Sequence, residues 1–347
     1  MRILRPPGGP DLSERKVKFG LELVPNTPIE KVVGLATLAE QGGFEYLWIT
    51  DHYYNRNVYV TLTAVALRTS KLIIGPGVTN PYVVNPAWTA SAIASLDEIS
   101  GGRAVLGIGA GDAVTLRALA IPQRTPLRAV EESVRAIRRL LGGERAEIDG
   151  KFLKLAGARL SYKPSRSIPI YIGAQGPKML ELAGRLGDGV LINASSPLDF
   201  KYAIEMIKKG AEASGRKMEE IDVVAYTCFS VDKDREKARS KAAPIVAFIV
   251  AGSPRAVLER HGIDLDAAAK LKEELEAGRF DKAVALVTED MLRAFSIYGT
   301  PQECIEAVEE LLKSGVTQVV VGSPLGPKKK TSLELIAKEI IPSFISK

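Results

Sequence analysis

The sequence predicts a closed (β/α)8 barrel, and three observations carry that expectation. Short apolar, β-branched runs recur along the chain, each followed by a segment of helical period. Eight such strands fit in 347 residues, a length that one large α/β domain can fill. No G-x-G-x-x-G follows the first run, where an open doubly wound sheet normally places its dinucleotide loop.

In chain order, residues 17–24 form the first expected strand and 28–41 its helix, with Ile29, Val32, Val33, Leu35, Ala36 and Leu38 along it. Strand two is 46–50 with helix 59–68, strand three 72–78 with helix 86–100, and strand four 104–110 with helix 126–141. The interval 144–163 alternates like a small appended hairpin. Strands five and six, 168–172 and 189–193, frame the most informative stretch. Ile168, Ile170 and Ile172 belong to a run suited to burial on both faces of a parallel sheet. Gly173 and Gly176 bracket a turn, and Pro177 follows at the first helical position, where a missing N–H costs nothing. Met179, Leu180, Leu182, Ala183 and Leu186 give that helix an apolar face, which Gly187 and Gly189 end. Its free N–H groups and positive dipole end suit an anion, phosphate above all. A tight βα connection without a ligand fits the same glycines, and the segment alone leaves both readings open. Strand seven is 223–231 and strand eight 318–321. Between them, 232–315 is mostly helical by pattern, and we expect an insertion over about 232–295 on a single barrel domain spanning 17–347. The polar, proline-containing start, 1–16, reads as an extension before the fold.

Bulk properties exclude several classes. With 46% hydrophobic and 25% charged residues the chain is an ordinary globular one. Its net charge of +6 is spread along the chain, without the basic clusters and interleaved aromatics of a nucleic-acid binder. Cys228 and Cys304 lack a C-x-x-C spacing and sit in apolar surroundings, so buried free thiols in a reducing cytoplasm are expected. No apolar run reaches membrane length.

Chemistry in such a barrel sits at the C-terminal ends of the strands. Those ends read LELVPN with Glu22, WITDH with Asp51 and His52, GPGVTNP with Thr79 and Asn80, GIGAGDA with Asp112, GAQG, NASS and VGSPLGPKKK. The set is polar, sparsely charged and rich in backbone donors, which suits a large, partly flat, phosphate-bearing cofactor. Metal ligation has little support, because His52 and His261 are the two histidines and lie far apart in sequence. A serine hydrolase fares no better without a G-x-S-x-G elbow.

KFGLELVPN, WITDH, GVTNPYVVNPAWTASAIASLDEISGGRAVLGIGAGD, GAQGPKMLELAGRLGDGVLIN and YGTPQECIEAVEELLKSGVTQVVVG occur in an order that resembles the bacterial luciferase-like superfamily. Within it the chain is most similar to the archaeal 5,10-methylenetetrahydromethanopterin reductases, through LELVPN, TNPYVVNP and GAQGPKM. That resemblance implies coenzyme F420, an 8-hydroxy-5-deazaflavin, as cofactor. It implies hydride transfer from reduced F420 to the methylene carbon of methylenetetrahydromethanopterin, in methanogenesis or another one-carbon route, by a homodimer or homotetramer.

The resemblance also assigns roles. A bulge in strand three carries a non-prolyl cis peptide behind the cofactor ring, which GPGV places at Gly77 and Val78, with Thr79 and Asn80 at the ring edge. Gly173, Ala174, Gln175 and Gly176 are implied to hold the F420 phosphate, with Asp51, His52 and Ala194 beside the cofactor. Glu22 matches the position of an acid that protonates the substrate amine as its imidazolidine ring opens. Asp112 stands near the acid of related F420 dehydrogenases but is one methylene shorter, and a helix cap fits it too. Lys328, Lys329 and Lys330 fit a solvated charge run or a contact with an acidic ligand tail. Other F420 dehydrogenases, FMN monooxygenases and a non-catalytic flavin-binding barrel share the pattern, although YYNRNVY after His52 lacks the tryptophan of the sugar-phosphate dehydrogenases.

Overall fold

The computed structural model describes residues 17–345, so the expected extension over 1–16 lies outside the described residues. Eight parallel strands form the sheet: β1 (Lys18–Leu23), β2 (Tyr46–Ile49), β3 (Ile73–Pro76), β4 (Leu106–Ile108), β5 (Ile170–Gly173), β6 (Gly189–Ile192), β7 (Asp222–Thr227) and β8 (Gln318–Val321). Their order is β3-β2-β1-β8-β7-β6-β5-β4. Bridges from Ile74 to Ala104 and from Thr79 to Ile108 join the two edges and close the barrel.

Alternation along the strands sorts the core into two layers. Outward residues such as Phe19, Leu47, Ile74, Leu106, Ile172 and Val319 pack under the helices. Tyr46, Trp48, Val105, Tyr171, Leu191, Val224 and Val320 form a separate cluster inside the barrel. At its N-terminal end the buried Asp222 carboxylate accepts from the Tyr171 hydroxyl at 2.8 Å and from Gln318 Nε2 at 3.1 Å. Lys18 Nζ lies 3.0 Å from it, and Trp48 Nε1 donates to Gln318 Oε1 at 3.2 Å. A charge in the interior persists only when bonded on this scale. The network plugs one mouth of the barrel and leaves the other for chemistry.

The closing seam depends on missing side chains. A Cβ on Gly75 would lie 1.9 Å from the Val105 carbonyl oxygen, and one on Gly107 would lie 2.2 Å from that of Pro76. Backbone therefore meets backbone where β3 joins β4.

Two expectations need correction. Strand seven is not continuous over 223–231: Phe229–Val231 leaves the barrel and pairs in parallel with Ile297–Gly299. The reason is the ladder, for Thr227 opposes Val321 at the end of β8, and β8 then turns through a cis Ser323–Pro324 bond. Leu325 then bonds to Phe229 and Val231 at 2.8 and 3.0 Å, so the chain after β8 follows this segment out of the barrel ladder. Strand four is followed first by a short helix, Ala113–Ala118, and then by Pro126–Leu141. The hairpin is present as Ala146–Asp149 against Lys154–Ala158. Helices Arg235–Gly252, Arg255–Arg260, Leu265–Glu276, Phe280–Ala285 and Glu289–Phe295 fill most of the interval between β7 and β8. They share an apolar cluster containing Val246, Val250, Leu271 and Leu292. Cys228 and Cys304 are free and buried. Among the described residues, no helix is long and apolar enough to cross a membrane.

Two glycine substitutions should have opposite signs in urea unfolding. Gly75→Ala forces backbone apart at the seam and should destabilise by about 2–3 kcal/mol. Gly34→Ala, in an exposed helix interior with nothing within 4 Å of the new methyl, should stabilise by about 0.5–1 kcal/mol.

Candidate active site

The mouth of the barrel is organised by a bulge. From Ile74 to Thr79 one edge takes five steps while its partner, from Ala104 to Ile108, takes four, so one extra residue is accommodated on the β3 side. The Gly77–Val78 peptide within it is cis, where the resemblance placed it. Gly77 is held from two directions: its N–H donates to the Ile49 carbonyl at 2.8 Å, and its carbonyl accepts from the Tyr226 hydroxyl at 3.2 Å. A Cβ there would lie 2.8 Å from Trp48 Cβ, so only glycine fits unstrained. The Val78 side chain occupies space left by three other glycines. Added Cβ atoms on Gly107, Gly109 and Gly173 would approach its methyls to 3.1, 3.0 and 3.4 Å.

Glu22 stands at the end of β1, opposite Trp48 of β2. Its Oε2 accepts from the Ser323 N–H at 2.8 Å and lies so close to Gly322 that a Cβ there would sit 2.4 Å away. Burial pushes the Glu22 carboxyl above its ordinary range, and the Ser323 N–H and the Lys329 charge offset part of that rise. Burial, with a smaller contribution from Glu22, raises the Tyr226 phenol and pushes the Cys228 thiol up to about 12. Tyr226 thus bonds Gly77 across the barrel mouth and lies within the field of Glu22.

At the end of β2, burial also raises the Asp51 carboxyl, against a bond from the Thr79 side chain and the field of His52. Thr79 is 2% exposed, and its N–H donates to the Gly107 carbonyl at 3.0 Å. Asp51 is therefore coupled to the residue that follows the bulge. Thr50 Oγ1, His52 Nδ1, Asn55 Nδ2 and Tyr59 OH are buried here without a partner among the described residues, whereas buried polar atoms ordinarily have one. Asn80 Oδ1 accepts from the N–H groups of Tyr82 and Val83, which fixes the loop beyond the bulge.

The β5 loop faces the same mouth. Gly173 packs against Val78, the Ala174 N–H donates to the Leu191 carbonyl at 3.0 Å, and Gln175 Nε2 reaches the Asn193 carbonyl at 3.0 Å. That last bond ties the β5 loop to the turn containing Ala194. Gly176 is the N-cap of helix Pro177–Leu186 and offers no capping side chain, so the first-turn donors of this helix point at the rim.

Asp112 is less suited to proton donation than Glu22. It caps helix Ala113–Ala118, accepting from the Val114 and Thr115 N–H groups. Hydrogen bonds from Thr115 and Val114, with the nearby His52 charge, outweigh partial burial and hold its carboxyl below the usual range. Lys329 opens helix Lys329–Leu335, and its charge reaches Glu22. Sequence reading missed Tyr226, which looks like a core residue in DVVAYT. It also missed the seat of Glu22 at Gly322–Ser323, whose one visible signal was the glycine directly after β8.

A profile of the luciferase-like monooxygenase family matches residues 15–318. A 5,10-methylenetetrahydromethanopterin reductase from Archaeoglobus fulgidus is 54% identical, over 94% of this chain and 100% of its own. One from Methanolobus tindarius is 53% identical over 93% and 99%, respectively. The solved structure of the coenzyme F420 dependent tetrahydromethanopterin reductase from Methanopyrus kandleri superposes with a TM-score of 0.92 at 47% identity, covering 94% of this chain and 99% of that one. The cis bulge on β3, the glycine loop after β5 and the buried carboxyl on β1 thus lie in a chain that belongs to the luciferase-like family.

Proposed function

We infer that the protein is an oxidoreductase that transfers hydride between reduced coenzyme F420 and 5,10-methylenetetrahydromethanopterin, giving 5-methyltetrahydromethanopterin reversibly. The observation that carries this reading is the Glu22 carboxyl, buried beside Gly322 and Ser323 at the mouth of the barrel, in a chain 54% identical to a reductase of that name over 94% of its length.

The residues present fit the cofactor. Unpartnered polar atoms at Thr50, His52, Asn55 and Tyr59 suit a ligand rich in donors and acceptors. The uncapped helix start at Gly176 suits its phosphate, with Gly173, Ala174 and Gln175 completing the loop. Gly77 and Val78 would support the ring, with Thr79 and Asn80 at its edge and Asp51, His52 and Ala194 alongside. When bound, F420 supplies the hydride, and carbon in place of the flavin N5 restricts it to hydride-pair chemistry.

Glu22 serves as the acid. The proton at its carboxyl passes to the substrate amine as the imidazolidine ring opens, and the Ser323 N–H then steadies the carboxylate left behind. Burial keeps that carboxyl protonated at higher pH than a free glutamate. Asp112 remains a helix cap in this reading. A homodimer or homotetramer belongs to the same proposal, supported by the exposed apolar side chains Val60, Trp88 and Ile99 on the helices after β2 and β3 and Leu67 at the end of the first of them. A cytoplasmic location fits the free cysteines. Residues 17–347 would form one barrel unit with the 232–295 helices as its insertion.

Glu22→Gln should lower turnover roughly 10²–10⁴-fold while leaving the Kd for F420 within about twofold; unchanged turnover would remove Glu22 from the chemistry. In the reductive direction wild-type turnover should fall as pH rises through the elevated Glu22 pKa. Because the carboxyl binds its proton more tightly in the folded chain than in the unfolded one, it contributes stability that is lost as pH rises past the ordinary carboxylate range, and Glu22→Gln should lessen that decline in thermal melts. Gly176→Asp separates cofactor binding from folding. The new side chain enters open space at an N-cap with extended backbone. It should stabilise the fold by a few tenths of a kcal/mol and weaken F420 binding about tenfold or more by repelling the phosphate.

A further inference from the structure

We propose that Tyr226 is a positioning residue for this reaction, its hydroxyl holding the Gly77 carbonyl and thereby setting the plane of the bulge against which the cofactor ring rests. The proposal depends on the functional reading above.

Tyr226 projects from β7, four strands along the sheet from β3, with β2, β1 and β8 between them. Its phenol therefore reaches across the barrel mouth and not to a neighbouring strand. It donates to the Gly77 carbonyl at 3.2 Å and lies 3.0 Å from where a Gly77 side chain would begin. The Gly77 N–H is taken by Ile49 of β2 at 2.8 Å. With the peptide units on either side of its Cα each engaged from a different wall, Gly77 has little freedom to tilt.

Packing does not explain the hydroxyl. Val224 and Val320 serve the interior below it with plain aliphatic side chains, and a phenylalanine would fill the same volume without the burden of burying a polar group. Burial holds the phenol far from ionisation, so its proton stays on the bond to Gly77. One side chain thus touches the bulge and feels the acid, and the hydroxyl is the part of it that packing does not require.

The test compares Tyr226→Phe with Thr227→Val in the full-length protein. Thr227 Oγ1 donates to the Val320 carbonyl at 2.9 Å, so its loss removes a buried neutral hydrogen bond from the same strand but not from the bulge. For Tyr226→Phe we expect the Kd for oxidised F420, read by fluorescence, to rise about three- to tenfold, the worth of one such bond. The absorbance maximum of bound F420 should shift and kcat should fall, with the KM for methylenetetrahydromethanopterin within about twofold of wild type. Thr227→Val should lower the melting temperature similarly and leave the F420 spectrum, Kd and kcat unchanged. If Tyr226→Phe alters F420 binding and spectrum no more than Thr227→Val does, the hydroxyl is only structural and the proposal is overturned. A wild-type protein that neither binds F420 nor turns over would overturn the functional reading itself, and this proposal with it.

Discussion

The close approach of β3 to β4 is the constraint from which the rest of the site follows. Gly75 and Gly107 leave no room for a Cβ against the opposing carbonyls, so the barrel closes on bare backbone. Closure at that separation puts Val78 into the hollow left by Gly107, Gly109 and Gly173, and one extra residue on the β3 side forms the bulge. Glycine is used here for the absence of a side chain, since none of these four residues has the left-handed backbone that would otherwise call for it.

The two ends of the barrel handle buried carboxyl groups in opposite ways. Asp222 at the N-terminal end is surrounded by Lys18, Tyr171 and Gln318, a set that satisfies an anion and fixes it in place. Glu22 at the C-terminal end has one backbone donor, Ser323, and a more distant lysine charge, and burial prevails. A carboxyl supported so sparingly favours its protonated form. Difference in surroundings, more than residue type, leaves one carboxyl a structural plug and raises the other above its ordinary range.

Much of the architecture was legible because period and β-branching suffice for strands buried on both faces. The runs ending in Leu23, Ile49, Ile172 and Val321 were all visible in that way. The break after Thr227 was not, because DVVAYTCFSV has no glycine or proline to mark it and the break coincides with the end of β8, nearly a hundred residues later. In the site, Glu22 and GAQG stood out as polar or glycine-rich strand ends. The cis bond at Gly77 followed from family resemblance alone, since nothing local in GPGV distinguishes it from an ordinary turn. The glycines of GIGAG read as loop signals, yet Gly107 and Gly109 make room for a valine on another strand. Tyr226 escaped notice because an inward tyrosine has the same sequence signature as core, and its role is set by a hydrogen bond to residue 77 on a strand it never pairs with.

The central claim is that Glu22 keeps its proton above the ordinary carboxylate range because the fold leaves its carboxylate under-supported. The most direct measurement is a pH titration of its carboxyl by infrared difference spectroscopy, wild type minus Glu22→Gln, on the folded protein. The account predicts a carbonyl stretch that persists well above the pH range of an ordinary glutamate and is absent from the variant. A Glu22 signal that titrates at or below that ordinary range would contradict it.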